Sequence, residues 1–134
     1  MAIRRVSAPS VPEPPPATWS NCLVVDGIAY VAGLTARGSD FASVVGGGAY
    51  GQAQAIFAKM GALLEAAGGN LADVVKVTIY VTDIRLREEV WKARAEVFSG
   101  DFPVSTLIEI SKLAHPEMLV EIDAIAHIGA GKRG

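Results

Sequence analysis

The sequence predicts an α+β fold in which two helices cover one face of a mixed β-sheet. Three observations carry this prediction: an early hairpin signal, two segments with helical periodicity, and three later segments in which apolar and polar residues alternate. Their order along the chain is β-β-α-β-α-β-β. Of the 134 residues, 51% are hydrophobic and 19% charged, so one compact domain is expected.

The chain divides into an arm, a domain and a tail. Residues 1–18 contain the run PSVPEPPPA, which disfavours helix and central strand, so we expect an extended N-terminal arm. A single folded domain is predicted over 19–128. Residues 129–134 are expected to form a flexible C-terminal tail.

The folded domain opens with a hairpin. In NCLVVDGIAYVAGLT, the pair Asp26-Gly27 separates two runs rich in β-forming residues, which is typical of a two-residue turn. Strands are therefore predicted at 21–25 and 28–33. The glycine-rich segment 35–48 follows; it lacks the GK[ST] continuation of a phosphate loop, so a flexible loop is the better interpretation.

Two helices are predicted from periodicity and from their end signals. In the segment 49–67, apolar residues recur at helical spacing, and Gly68-Gly69 ends the run. Asp83 can cap a second helix that extends to about Phe98. The residues expected to face inward on this second helix are Leu86, Val90, Ala93 and Val97.

Three alternating segments complete the sheet. They are centred on residues 75–81, 105–110 and 119–128. In the first, the inward set is expected to be Val75, Val77, Ile79 and Val81. Because both helices pack on one face, the other face of the sheet needs a cover, which a homo-oligomer would provide.

Composition excludes several classes of function. The formal net charge of −2 and a pI near 5.6 give no basic surface for nucleic acid, and no apolar run is long enough to span a membrane. No secretory signal follows the N-terminal arginines, and the single cysteine, Cys22, suits a reducing cytoplasm as a small buried residue. Two histidines without paired spacing argue against structural zinc, and no cofactor is implied.

Local patterns alone do not identify a reaction. Glu121 and Asp123 share one face of the last strand, about 7 Å apart by strand rise, but a structural role is the default for each. Ser105 has no local base to activate it. The remaining large or charged candidates are by default core, interface or solvated residues: Trp19, Trp91 and Arg94.

Four segments together resemble a known family. In order, GIAYVAGLT, LLEAAGGNLADVVKVTIYVTDI, FPVSTLIEI and LVEIDAIA are similar to the RidA (YjgF-type) family of enamine/imine deaminases, from about Trp19 to His127. The resemblance implies a chorismate-mutase-like fold and a homotrimer with clefts between subunits. It also implies hydrolysis of short-lived 2-imino and 2-enamino acids to 2-oxo acids and ammonia.

The resemblance assigns roles to individual positions. Glu121 matches the glutamate that positions the attacking water, Ser105 the serine that opens the fourth strand of the family pattern, and Gly33 the glycine of the turn after the hairpin. Leu34 stands where the family has glutamine, and Trp19 where a tyrosine is usual. The implied ligand is a small molecule.

The resemblance also shows a departure at the position that binds the substrate carboxylate. Val104 stands where the family has an arginine directly before the serine, and Trp91 stands where asparagine is frequent. Valine offers no hydrogen-bond donor, so the usual bidentate contact is lost and the cleft becomes more apolar. Arg94, one turn after Trp91, is a candidate replacement for that cation.

Three functions remain open from the sequence. One is hydrolysis of an enamine or imine other than the usual 2-imino acids, through water activated by Glu121. Another is a binding or regulatory protein that holds a small apolar or aromatic metabolite in the same cleft. Ribonuclease activity, attached to some relatives, fits poorly with an acidic chain that has no basic stripe.

Overall fold

A computed structural model of the chain describes residues 2–131. Its single sheet has six strands in the spatial order β1-β2-β3-β6-β4-β5, with two helices packed on one face. The elements are β1 (Arg4–Val6), β2 (Cys22–Val25), β3 (Ile28–Leu34), α1 (Ala49–Ala66), β4 (Val74–Val81), α2 (Arg87–Val97), β5 (Val104–Glu109) and β6 (Val120–His127). From β2 onward this is the predicted order, and the α+β class is confirmed.

The N-terminal arm contributes a strand that the sequence analysis did not predict. Strand β1 pairs antiparallel with β2 and forms an edge of the sheet. Val6 and Val11 are both buried in the hydrophobic core. The strand ends before the first proline at Pro9, so the proline-rich composition of the whole arm concealed three residues that can form a ladder.

The hairpin between β2 and β3 has the predicted turn. Asp26 and Gly27 both adopt positive φ, 51° and 74°, as a two-residue turn of type I′ requires. The register places Val25 opposite Ile28 and Cys22 opposite Val31. Cys22 is fully buried, as predicted for a small apolar side chain.

The two helices form where the end signals predict. Helix α1 ends at Ala66, and Gly68 beyond it has φ of 97°. Before α2, the chain makes a 3-10 turn at Ile84–Leu86, and the Asp83 carboxylate accepts a hydrogen bond from the backbone N–H of Arg85 at 2.9 Å. Asp83 therefore caps the 3-10 turn that leads into α2 and not α2 itself, whose N-cap residue, Leu86, makes no side-chain capping hydrogen bond.

One residue of β4 was assigned to the wrong face. Val75 is 40% exposed, whereas Val74 is buried. The pairing of β4 with β6 shifts between Val74 and Lys76, so a bulge offsets the alternation at the start of the strand. From Val77 onward the inward set is as predicted, with Val77, Ile79 and Val81 fully buried.

The face of the sheet opposite the helices exposes large apolar side chains. Tyr30 is 48% exposed, Ile108 is 42% exposed and Val104 is 67% exposed. Val104 and Ile108 lie beside Lys76 and Tyr80 in the parallel ladder of β5 with β4. These β4 neighbours alternate with the buried residues that face the helices, so the predicted uncovered apolar face is present in the single chain.

The two segments predicted to be flexible carry specific hydrogen bonds where they are described. In the loop 35–48, a β-bridge joins Arg37 to Val44, and the backbone N–H of Gly38 donates to the backbone carbonyl oxygen of Ser43 at 2.8 Å. Of the predicted tail 129–134, residues 132–134 lie outside the described residues. Gly131 donates its backbone N–H to the Asp73 carboxylate at 2.7 Å, so the first part of the tail is attached to the domain.

Candidate functional site

A cavity of about 370 Å³ lies at the end of β3, where the chain leaves the sheet for the loop 35–48. Four residues of the sequence-based site line it together: Trp19, Gly33, Leu34 and Glu121. The other lining residues are Val11, Pro12, Asn21, Ala32, Thr35, Arg37, Phe41, Lys59 and Ala114. The cavity is thus built from the arm, β3, the loop, α1, β6 and the segment before β6.

Glu121 provides the carboxyl group of the cavity. Alternation along β6 buries Val120 and Ile122 under the helices and turns Glu121 to the opposite face. Burial, with a smaller contribution from the negative charge of Asp123, raises the pKa of the Glu121 carboxyl. Within residues 2–131 no side chain or backbone group donates a hydrogen bond to it. Its oxygens are therefore available to a ligand or to water.

Gly33 leaves room for that carboxyl group. A Cβ atom at position 33 would collide with Oε2 of Glu121 and would lie 2.8 Å from its Cδ. The Glu121 side chain therefore packs directly against the backbone of β3. This close approach fixes the carboxyl group at the cavity wall, and it requires glycine for space.

Trp19 and Leu34 contribute in different ways. The indole of Trp19 is 44% exposed and lies with its ring centroid 6.0 Å from that of Phe41, in a tilted pair. Leu34 is only 4% exposed, and its side chain belongs to the core beside Ile122. A ligand would therefore meet the indole of Trp19, whereas at position 34 it would meet backbone.

Two cationic residues of the cavity were missed by the sequence analysis: Arg37 and Lys59. The Cζ of Arg37 lies 4.4 Å from the centroid of the Phe41 ring, and its Nη1 donates to the carbonyl oxygen of Phe41 at 3.2 Å. Both residues fall in patterns that look ordinary in sequence, a glycine-rich loop and the polar side of a helix. No sequence signal distinguishes them from solvated charges.

Lys59 joins α1 to the loop. Its Nζ donates to the carbonyl oxygens of Thr35 at 2.8 Å and of Arg37 at 2.6 Å. Burial, with a smaller contribution from the charge of Arg37, lowers the pKa of Lys59 to about 8. The ammonium group thus holds the start of the loop in place at the cost of partial desolvation.

The N-terminal arm forms one wall of the cavity. Val11 and Pro12 line it, and the buried side chain of Asn21 donates to the carbonyl oxygen of Pro12 at 2.9 Å. The arm is therefore part of the site. Composition gave no signal for this, because the contact depends on how the arm crosses β2 and β3.

The other four predicted site residues form a separate group at β5 and α2: Trp91, Arg94, Val104 and Ser105. Val104 shares the open face of the sheet with Glu121. Two strand spacings and four residues along β5 separate them in the ladders. With about 4.8 Å per strand and about 3.3 Å per residue, their Cα atoms are roughly 16 Å apart. One chain alone does not bring Val104 into the Glu121 cavity.

Arg94 is engaged on the helix side of β5. Its Nη1 donates to Oγ of Ser105 at 3.2 Å, and its Cζ lies 5.8 Å from the centroid of the Trp91 ring. Burial lowers the pKa of Arg94, and its buried Nε has no hydrogen-bond partner among the described residues. Ser105 lies beside Val77 in the ladder and so faces the helices, whereas Val104 faces away.

The described part of the chain contains neither a metal-binding cluster nor a membrane-spanning helix. Across residues 2–131, no cluster of at least three histidine, cysteine, aspartate or glutamate side chains is arranged to hold a metal ion. Over the same range, neither helix has the length and apolar character needed to cross a bilayer.

Comparison with known proteins identifies relatives along almost the whole chain. The RutC family protein UK114 of Drosophila melanogaster is 30% identical over 128 residues, which is 96% of this chain and 92% of the relative. A crystal structure of a Pseudomonas aeruginosa protein of unknown function is 40% identical with a TM-score of 0.85, covering 96% of this chain and 94% of that one. RidA from the Antarctic bacterium Psychrobacter sp. PAMC 21119 is 25% identical with a TM-score of 0.84, covering 93% and 99%.

The family model described as Endoribonuclease L-PSP matches residues 11–128. That range begins inside the N-terminal arm and ends after β6, so it includes every strand from β2 onward, both helices and all residues of the cavity. The resemblance inferred from the four sequence segments is confirmed, and with it the chorismate-mutase-like fold. The chain belongs to the Endoribonuclease L-PSP family, the family of RidA, YjgF and UK114.

Proposed function

We propose that the protein hydrolyses or deaminates a small enamine or imine at the Glu121 cavity. The observation that carries this proposal is the placement of Glu121. Its carboxyl group is half-buried against Gly33, accepts no hydrogen bond from residues 2–131, and opens into a cavity large enough for a small metabolite. A carboxyl group in this setting is suited to hold and activate one water molecule.

The proposed reaction proceeds in two steps. The substrate reacts as its protonated iminium. The ionised Glu121 takes a proton from water while the water oxygen forms a bond to the iminium carbon, and the C=N π electrons pass to nitrogen, which gives the neutral carbinolamine. Glu121 then returns its proton to the amino group, the C–N bond breaks as the carbonyl forms, and the hydroxyl proton passes to solvent. The products are a carbonyl compound and ammonia, and Glu121 is regenerated as the carboxylate.

The substrate is proposed to differ from the usual 2-imino acids. In the family pattern, an arginine at the start of β5 holds their carboxylate, and Val104 stands at that position. A valine side chain, 67% exposed here, cannot donate a hydrogen bond. The nearby Arg94 is directed to Ser105 on the other face of β5, which does not favour it as a direct substitute.

We propose that the active form is a homotrimer, because the open face of the sheet exposes Tyr30, Val104 and Ile108. Assembly through this face would also bring Val104 of one chain towards the cavity of another. Size-exclusion chromatography with light scattering should then give about three times the chain mass of 14.0 kDa. A monomer at all working concentrations would contradict both the interface and the shared cleft.

Freshly generated imines test the reaction directly. An amino-acid oxidase can supply two kinds of imine: those with small side chains, such as 2-iminobutyrate, and those with aromatic side chains. Ammonia release is then measured with and without the protein. We expect little acceleration for 2-iminobutyrate and a clear acceleration for an aromatic imine, because Trp19 and Phe41 offer a ring-lined wall. No acceleration for any imine would refute the proposed hydrolysis.

The alternative is a protein that binds a small molecule without changing it. The aromatic pair at the cavity favours this function, because the rings of Trp19 and Phe41 offer a surface to an apolar or aromatic metabolite. Quenching of Trp19 fluorescence would report ligand binding for either function. Recovery of the unchanged ligand after long incubation distinguishes binding from turnover. RNA cleavage, suggested by the family description, is not proposed, because the net charge is −2 and phosphate binding depends on clustered basic residues.

A further inference from the structure

We infer that Arg37 is the anion-binding residue of the Glu121 cavity, and that the ligand carries a carboxylate on a flat apolar body. This inference deepens the proposed function by naming the chemical class of its ligand. It assigns the cationic contact to the loop after β3, on the same chain as Glu121, and not to β5 or α2.

The cavity has an unbalanced positive charge. Arg37 and Lys59 both line it, and neither has a carboxylate partner within residues 2–131, where the ion pairs are Arg5–Glu13 and Arg85–Asp83. Among the described residues that line the cavity, Glu121 is the one acidic side chain. Two cationic side chains therefore face a single carboxyl group, and an anionic ligand would balance the remaining positive charge.

The guanidinium of Arg37 is held in position with donors to spare. One face of the group lies over the Phe41 ring, and Nη1 donates to the Phe41 carbonyl oxygen. A guanidinium has five N–H donors, so most of them remain for a ligand, and their fork matches the two oxygens of a carboxylate. Stacking on an aromatic ring limits the motion that would otherwise weaken such a contact.

Lys59 acts as a positioning residue for Arg37. Its ammonium group donates to the carbonyl oxygen of Arg37 itself and to that of Thr35, so the backbone that carries the guanidinium is fixed to α1. The charge of Arg37 also disfavours the protonated form of Lys59. A bound anion would relieve this repulsion, which couples anion binding to the order of the loop.

The aromatic wall defines the rest of the ligand. Trp19 and Phe41 both line the cavity, with ring centroids 6.0 Å apart and an interplanar angle of 30°, and Phe41 is also the ring beneath Arg37. A ligand bound at the guanidinium would therefore extend along these rings. A planar, unsaturated carboxylate fits this arrangement better than a short aliphatic one.

Isothermal titration calorimetry with benzoate and with its neutral analogue benzamide tests the inference. We expect saturable binding of benzoate, and a loss of affinity of about tenfold to a hundredfold in Arg37→Gln. Benzamide affinity should change little, because it reports the aromatic wall and not the charge. Arg87→Gln removes an exposed arginine outside the cavity and should leave benzoate binding unchanged.

The outcomes separate a charge effect from a folding effect. Equal losses for benzoate and benzamide in Arg37→Gln, or unchanged benzoate binding, would overturn the inference, as would the absence of saturable benzoate binding to the wild type. Arg37→Lys keeps the positive charge but loses the bidentate guanidinium geometry, so its benzoate affinity should lie between that of the wild type and that of Arg37→Gln. Benzoate binding should persist in Glu121→Gln, so a failure of the proposed hydrolysis would leave this inference standing.

Discussion

Glu121→Gln is expected to lower kcat for the true substrate by at least about a hundredfold, because glutamine cannot accept a proton from the attacking water. The amide has nearly the same shape, and Gly33 still leaves room for it, so ligand binding should be retained. Steady-state ammonia release, together with a calorimetric Kd for a non-reactive ligand, measures both quantities. Unchanged kcat would refute the water-activating role of Glu121.

The pH profile gives a second readout for Glu121. Burial and the charge of Asp123 raise its pKa, so the ionised, active form is lost at a higher pH than for an exposed glutamate. In the wild type, kcat/KM should therefore decline as the pH falls through this raised value. Glu65→Gln, a change on the exposed side of α1, serves as the matched control and should alter neither kcat nor the profile.

Gly33→Ala is expected to lower kcat about tenfold to a hundredfold while the protein remains folded. The new methyl group would occupy the position of the Glu121 carboxyl group, which must then rotate away from the wall of β3. Misplacement of a catalytic group by about 1 Å is enough for an effect of this size. The obstacle is the far end of a flexible side chain, so the free energy of unfolding should change by less than about 1 kcal/mol.

Kinetics and thermal unfolding of the same preparation distinguish the two effects of Gly33→Ala. Gly61→Ala is the matched control: it adds a methyl group to α1, where the nearest atom is a Leu71 carbon at 3.4 Å, away from the cavity. Its kcat should equal that of the wild type. If Gly33→Ala retained full activity, Glu121 would not depend on its contact with β3, and the site would need a different geometry.

Much of the fold could be predicted because its signals are local. The Asp26-Gly27 turn, the glycine after α1 and the Asp83 cap each act through backbone conformation within a few residues. The prediction was incomplete at β1 and wrong at Val75. In both places the decisive contact comes from a distant strand: β2 gives β1 its partner, and the shifted pairing with β6 turns Val75 outward.

The site was less predictable than the fold. The sequence assembled eight candidate residues from a resemblance, and the structure divides them between the Glu121 cavity and a separate group at β5 and α2. It also adds Arg37 and Lys59, which no motif marked. Both residues belong to the site because Lys59, on α1, donates hydrogen bonds to the carbonyl oxygens of Thr35 and Arg37 in the loop after β3.

The sequence by itself determined the α+β class, most of the elements and the family. These follow from short-range periodicity and turn chemistry, and from residue identities that can be read in order along the chain. Only the tertiary structure decided which charges face Glu121. Charge pairing, burial and the available space around a carboxyl group depend on residues far apart in sequence, and folding alone brings Gly33, Arg37, Lys59 and Glu121 to one cavity.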